Sequence, residues 1–216
     1  MTNGPAIVVC DIETTGLDEN VNAILEVGIL ILDLQLQEID SDSWIVSDDN
    51  TVAHLDWLAK LAAEEPQHHG EEPWRGGKMV HEMHQKSGLT ALIRDENARG
   101  VEATLLEVQQ QAVAFMARHH LGIGKKLLPM TGSSILFDRK YIAKQMPVLD
   151  SMFHYRNTDI SSLKTLVQLY RPDVAERLRD EVQPQGLHRS IPDCWDTTRE
   201  LSFYLSNTLL QGVAQS

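Results

Sequence analysis

The chain is short of cysteine, of long apolar runs and of basic residues. Two cysteines, Cys10 and Cys194, stand in 216 residues. One pair cannot build a disulfide framework, and such scarcity fits a reducing compartment. No apolar run reaches the ~20 residues that a membrane-spanning helix needs. The first residues, Met1-Thr2-Asn3-Gly4-Pro5, lack the basic start and apolar stretch of a secretory leader. They also lack the Arg-rich, amphipathic pattern of a mitochondrial presequence. These absences predict a cytoplasmic protein with no membrane partner, a mitochondrial location staying open. Lysine and arginine number 19 against 31 aspartates and glutamates, a net charge of −12. That argues against gripping long duplex through many phosphates, which needs a basic surface. It leaves room for a pocket that takes a short single strand, its phosphates met by metal ions and a few local cations. No internal repeat is visible. A length of 216 residues with 42% hydrophobic content fits one domain, 1–216, with its own core.

What is present begins with Cys10-Asp11-Ile12-Glu13-Thr14-Thr15-Gly16-Leu17. The run before it, Ala6 to Cys10, is short, apolar and β-branched, and the Thr-Gly after it marks a turn, so the segment reads as a buried strand. Residues i and i+2 of a strand share a face. Asp11 and Glu13 therefore project together, their Cα atoms about 6.6 Å apart, and Cys10 faces away. Two carboxylates at the edge of a core repel each other and resist ionisation unless a cation neutralises them. Hard carboxylate oxygens suit Mg²⁺ or Mn²⁺. A lone Asp-x-Glu is common without any metal, so further acids are needed.

Two more strands are expected at Ile24–Asp33 and Glu38–Val46. Glu26, inside the second, reads as a strand-edge or locally paired group rather than a catalytic one. Thr51–Glu64 has helical spacing, with Leu55, Leu58 and Leu61 on one stripe. Residues 64–78 shift to Glu, Pro, His and Gly and read as a surface loop insertion, His68-His69 included. Met79–Leu89 reads as a helix stopped at Gly88, and Val101–His120 as a longer amphipathic one. A short strand at Leu127–Gly132 precedes a helix capped by Ser133 or Ser134, carrying Asp138 and ending before Pro147. A brief strand at Thr158–Ile160 precedes a helix capped by Ser161 or Ser162 and reaching Tyr170. Pro172 starts another, and Pro192 opens a last helix to about Leu210. Strands followed by mixed strands and helices imply an α/β domain with a mixed sheet. If Pro192 opens the last helix, His188 lies in the loop before it. That puts a mobile imidazole, with an ordinary pKa near 6.5, close to the fixed carboxylate of Asp193.

Asp-Ile-Glu-Thr-Thr-Gly-Leu at 11–17, the distant Asp138, and His188 five residues before Asp193 resemble the DEDD exonucleases of the histidine subtype. Gly132 to Tyr141, Met146-Pro147, Phe153-His154-Tyr155-Arg156, Asp159 to Lys164 and Gln185 to His188 resemble one branch of that superfamily, the oligoribonucleases. The resemblance is dense in residues 7–33 and 129–200 and loose in 47–83. It implies an RNase H-like mixed sheet flanked by helices, and a homodimeric 3′→5′ exoribonuclease. Such an enzyme takes short oligoribonucleotides, dinucleotides above all, and releases nucleoside 5′-monophosphates. It further implies two Mg²⁺ or Mn²⁺ ions, one held by Asp11, Glu13 and Asp193, the other bridged by Asp11 and supported by Asp138. His188 would be the general base. Leu17 would pack on a base, and Ser134, Arg156 and Ser161 would meet the 5′-phosphate. Tyr155 would reach the neighbouring protomer's site, and His84 matches a further substrate-side histidine. One departure stands out: Met79 occupies the place of the family's base-stacking Trp, so that either Trp57 or Trp74 substitutes or the stacking is weaker.

Two other readings compete. A proofreading-type exonuclease on longer single-stranded DNA or RNA is opposed by the acidic charge and the Phe-His-Tyr-Arg segment. A catalytically silent nucleotide-binding dimer is opposed by the intact set Asp11, Glu13, Asp138, His188 and Asp193.

Overall fold

The computed structural model describes residues 4–64, 77–124 and 127–209, side chains excepted for the last two. The chain opens with an antiparallel meander: β1 (Ile7–Thr14), β2 (Ile24–Leu32) and β3 (Glu38–Ile45). Then come α1 (Asp49–Glu64), α2 (Gly77–Lys86), α3 (Leu89–Ala98) and α4 (Leu105–Arg118). β4 (Pro129–Gly132), α5 (Leu136–Gln145), a single turn α6 (Pro147–Asp150) and β5 (His154–Asp159) follow. The chain closes with α7 (Ile160–Tyr170), α8 (Pro172–Glu181), α9 (Ser190–Tyr204) and a π-helical turn at Leu205–Leu209. The sheet order is β3-β2-β1-β4-β5. β4 runs parallel to β1, and β5 parallel to β4. The mixed sheet expected from the pattern is therefore present.

β1 faces both ways, and its alternation decides the layout. Val8, Cys10 and Ile12 pack with Val108, Phe115 and Met116 of α4 and with Tyr141 and Ile142 of α5. Val9, on the other face, packs with Leu30, Leu32 and Cys194 of α9. Asp11 and Glu13 share the Val9 face, so they look toward α9, and Cys10 looks away as expected. β2 is buried along its whole length, which is why it reads as an almost unbroken apolar run.

Several boundaries differ from the sequence reading, each for a local reason. Gly88, at φ 77°, ends α2 as expected but also begins α3, a helix the sequence reading omits. α4 starts at Leu105, not Val101, because Thr104 and Glu107 form a capping box. Residues 65–76 of the expected loop lie outside the described residues, and its end at Gly77-Lys78 already belongs to α2. β5 begins at His154 rather than Thr158. α7 is capped by Asp159, whose carboxylate takes the Ser161 amide, and not by Ser161 or Ser162. Neither Ser133 nor Ser134 caps α5, since Ser134 sits at φ 54° and its amide donates to Asp159. α9 starts at Ser190, two residues before Pro192.

Candidate active site

β4 accompanies β1 only briefly, through Val8–Met130 and Val9–Thr131. Beyond that point β1 has an open edge, and its backbone donors need other partners. The Ile12 amide finds Asp138: its N–H donates to Oδ1 at 3.0 Å. The carboxylate in the first turn of α5 is thus tied to the peptide between Asp11 and Glu13. From the other side comes α9. A β-carbon on Gly28 would lie 2.5 Å from the Ser190 hydroxyl, so the bare glycine, opposite Asp11 in the ladder, lets the start of α9 close on the sheet. That approach delivers Asp193. Ligand oxygens of Asp11, Glu13 and Asp193 lie within 4.8 Å of one another.

The four acids hold their protons tightly. Burial pushes Asp11 well above the usual carboxylate range, and the charges of Asp138, Glu13 and Asp193 push further. Burial raises Glu13 to about 8, with Asp193 and Glu26 adding to it and Arg189 opposing. Asp138 is raised to about 7 by burial, against the Ile12 amide. Burial raises Asp193 to about 6, while His188 pulls it down. Asp193 Oδ1 is buried and has no partner among the described residues. Clustered oxygens, raised proton affinities and an unpaired buried oxygen together fit a divalent cation bound by hard ligands.

His188 stands on the rim. It is exposed, at φ 49°, in the loop before α9. That loop is fastened on both sides. The Gln185 and Gly186 amides donate to the Asp196 carboxylate. Beyond the tip, Arg189 forms a two-pronged pair with Glu26, Nε and Nη2 donating at 3.0 and 2.8 Å, and the Ser190 amide donates to the same carboxylate. Glu26 lies directly across from Glu13 in the β1–β2 ladder. The locally paired role expected for it holds, but its partner, Arg189, and the anchor Asp196 had no local signal in the sequence.

The remaining expected residues are dispersed. Leu17 exposes its side chain while its carbonyl accepts from Lys140 at 2.7 Å. Ser134 and Ser161 meet, hydroxyl to hydroxyl, at 3.1 Å. Arg156 instead lies along Tyr155, donating to its hydroxyl at 3.1 Å. Tyr155 is 75% exposed. His84 is fully buried beside Glu13. Its Nε2 donates to the Thr14 carbonyl at 2.8 Å, and Nδ1 stands 3.8 Å from Glu13 Oε2 with no hydrogen-bond partner among the described residues. Burial lowers its pKa, disfavouring the charged ring. Trp57 and Met79 are exposed on α1 and α2, and Trp74 lies outside the described residues.

No family model matches the chain. Among curated proteins, the oligoribonuclease of Marinobacter nauticus is 31% identical over 207 residues, covering 94% of this chain and 96% of its own. That of Nitrosomonas eutropha is 32% identical over 196 residues, 90% of each. The chain belongs to the oligoribonuclease family. Among solved structures, Mg²⁺- and Mn²⁺-bound Pop2p of S. pombe superposes with TM-score 0.57 at 14% identity, over 95% of this chain and 84% of that one. E. coli exonuclease I in complex with a dT13 oligonucleotide gives TM-score 0.57 at 10% identity. This chain is 96% covered in that match but spans only 42% of exonuclease I. At these identities the likeness concerns the fold, which is the RNase H-like exonuclease fold expected.

Proposed function

We propose that this exoribonuclease works from the 3′ end on very short oligoribonucleotides, dinucleotides foremost, as a homodimer with Mg²⁺ or Mn²⁺ in its site. The observation that carries the reading is the meeting of Asp11, Glu13 and Asp193 within 4.8 Å, with Asp138 tied to the peptide between the first two. Asp11, Glu13 and Asp193 would hold one ion, and Asp11 with Asp138 a second. Bound there, a pair of divalent ions supplies charge stabilisation to the attacking and leaving oxygens of an in-line displacement.

The chain's own side chains divide the remaining work. His188, on an anchored loop tip next to Asp193, accepts the proton of the attacking water. The new O–P bond forms as the bond from phosphorus to the 3′-oxygen of the preceding nucleotide breaks. That oxygen takes up a proton from solvent and leaves as a hydroxyl, His188 gives its proton back to solvent, and a nucleoside 5′-monophosphate is released. His84 holds the Thr14 carbonyl behind Glu13 and borders the substrate only through that carboxylate. Leu17 offers an apolar surface to a base. The Ser134–Ser161 hydroxyl pair and Arg156 serve the 5′-phosphate, for which Arg has the fitting fork. Tyr155, exposed on the sheet edge, serves the partner protomer. Two free, buried cysteines suit work in the cytoplasm. Among the described residues no helix is long and apolar enough to cross a membrane.

The test is a time course with 5′-labelled RNA dinucleotide and heptanucleotide, in Mn²⁺ or Mg²⁺, beside EDTA and Asp11→Ala. The dinucleotide is expected to disappear much faster, and both controls to stop it. Preference for the heptamer would make the chain a general exonuclease and remove the role given to Arg156. Absence of metal-dependent cleavage would leave a nucleotide-binding dimer.

A further inference from the structure

β5 is an edge strand, and its ladder with β4 is broken. Pro129 stands opposite His154, but the next residue, Met130, stands opposite Asn157. Tyr155 and Arg156 are thus extra residues on one side, without partners across the ladder. A bulge of this kind bends an edge strand and re-aims the side chains it carries. Both of these project outward.

A single guanidinium spans the interruption. Arg139 Nη1 donates to the His154 carbonyl at 2.7 Å on one flank and to Asn157 Oδ1 at 2.5 Å on the other. Its Nε donates to Asp150 Oδ1 at 3.1 Å. The Arg139 side chain is only 15% exposed, so these bonds are shielded in a way that ordinary surface pairs are not. A planar fork with fixed donor directions holds acceptors at a set separation, which a lysine cannot do. Arg139 also directly follows Asp138 on α5.

We infer that Arg139 is a positioning residue for chain-length selectivity. By clamping both flanks of the β5 bulge, it sets where Arg156 stands relative to the acids that begin one residue away at Asp138, and where Tyr155 stands for the partner protomer. The inference rests on the short-substrate reading above. A dinucleotide has one scissile phosphodiester and its 5′-phosphate immediately beside it. Both must be met at once, at one spacing. A longer strand reaches the acids with its 3′ end alone and has other phosphates to hold it. Loosening the clamp therefore costs the dinucleotide its alignment and leaves the longer strand unaffected.

The experiment compares wild type, Arg139→Gln and Asn157→Ala in saturating Mn²⁺, with kcat and KM on 5′-phosphorylated dinucleotide and heptanucleotide, and Tm for each protein. Wild type is expected to favour the dinucleotide. In both variants kcat/KM on the dinucleotide falls by about tenfold or more, chiefly through KM, while the heptamer stays within about twofold. The Mn²⁺ concentration needed for half-maximal rate is unchanged. An equal fall on both substrates would reduce Arg139 to a structural residue, and no change on either would remove it from selectivity. Both outcomes overturn the inference. If Arg139→Gln does not fold, Asn157→Ala decides by the same criteria. A wild type that favours the heptamer instead sinks the short-substrate reading, before any variant is compared.

Discussion

Asp11 projects from the middle of a five-stranded sheet, whereas His188 projects from the exposed tip of a loop. The two regions they stand for, the acid-lined floor and the rim, are held by different means. The floor is fixed by backbone: the β1–β2 register, the Ile12 amide on Asp138, and the close approach of α9 over Gly28. The rim is fixed by side chains reaching across: Asp196 and the Glu26–Arg189 pair for His188, Arg139 for Tyr155 and Arg156. A floor built this way moves only with the sheet and helices that form it, and it carries the repulsion of crowded acids. A rim built this way can be retuned without disturbing the core.

Removing a floor acid gives the largest effect. Asp11→Asn is expected to lower kcat by about a thousandfold or more while raising the Tm of the metal-free protein, because one repelling carboxylate is gone. Activity within tenfold of wild type would show that the reacting centre lies elsewhere. His188→Ala is expected to cost about a hundredfold to a thousandfold in kcat with Tm unchanged. A clear drop in Tm would move His188 from the rim into the fold. Gly28→Ala probes the join between the two regions. The added methyl meets Ser190 and pushes α9 off the sheet, at a cost of about 1–3 kcal/mol readable by urea denaturation. Unchanged stability would mean that Asp193 is not delivered by close packing.

The floor also has a pH signature. Glu13, Asp138 and Asp193 are raised to about 8, 7 and 6, whereas unfolded carboxylates titrate near 4. Between those values the folded protein holds protons that the unfolded chain has released, so stability falls as pH rises. By this term the Tm of EDTA-treated protein should be highest at or below about pH 4 and decline as pH rises toward 8, most steeply below pH 6, and Mn²⁺ should flatten the decline. A level profile in EDTA would mean that the acids are not crowded. The smallest effect is expected from replacing residues 65–76 by a short linker, with dinucleotide turnover held within about twofold. A large loss of kcat would bring that segment into the site.

Strand alternation made Asp11 and Glu13 legible, since period two puts them on one face whatever the tertiary fold. Pro192 brought His188 close to Asp193 in the sequence reading, but the meeting of Asp138, His188 and Asp193 with β1 became legible only through family resemblance, because it depends on the path of the whole chain. The anchors were illegible for the same reason. Glu26 and Arg189 are 163 positions apart, and neither carries a local mark of the other. The β5 bulge is a slip of pairing register, which no periodicity within β5 encodes. Cap assignments failed where a hydroxyl found a better partner: Ser134 turned to Ser161 and left the cap of α5 empty.

The first two acids are made early in synthesis and the last one late. On a ribosome adding ~5–20 residues per second, Asp193 follows Asp11 by roughly ten to forty seconds, and it reaches the site only after α9 has emerged and docked. Until then the nascent chain carries an open, incomplete acid cluster and lacks the His188 imidazole. Under the proposed mechanism, a nuclease with this order of parts is translated inert beside the very RNA that encodes it.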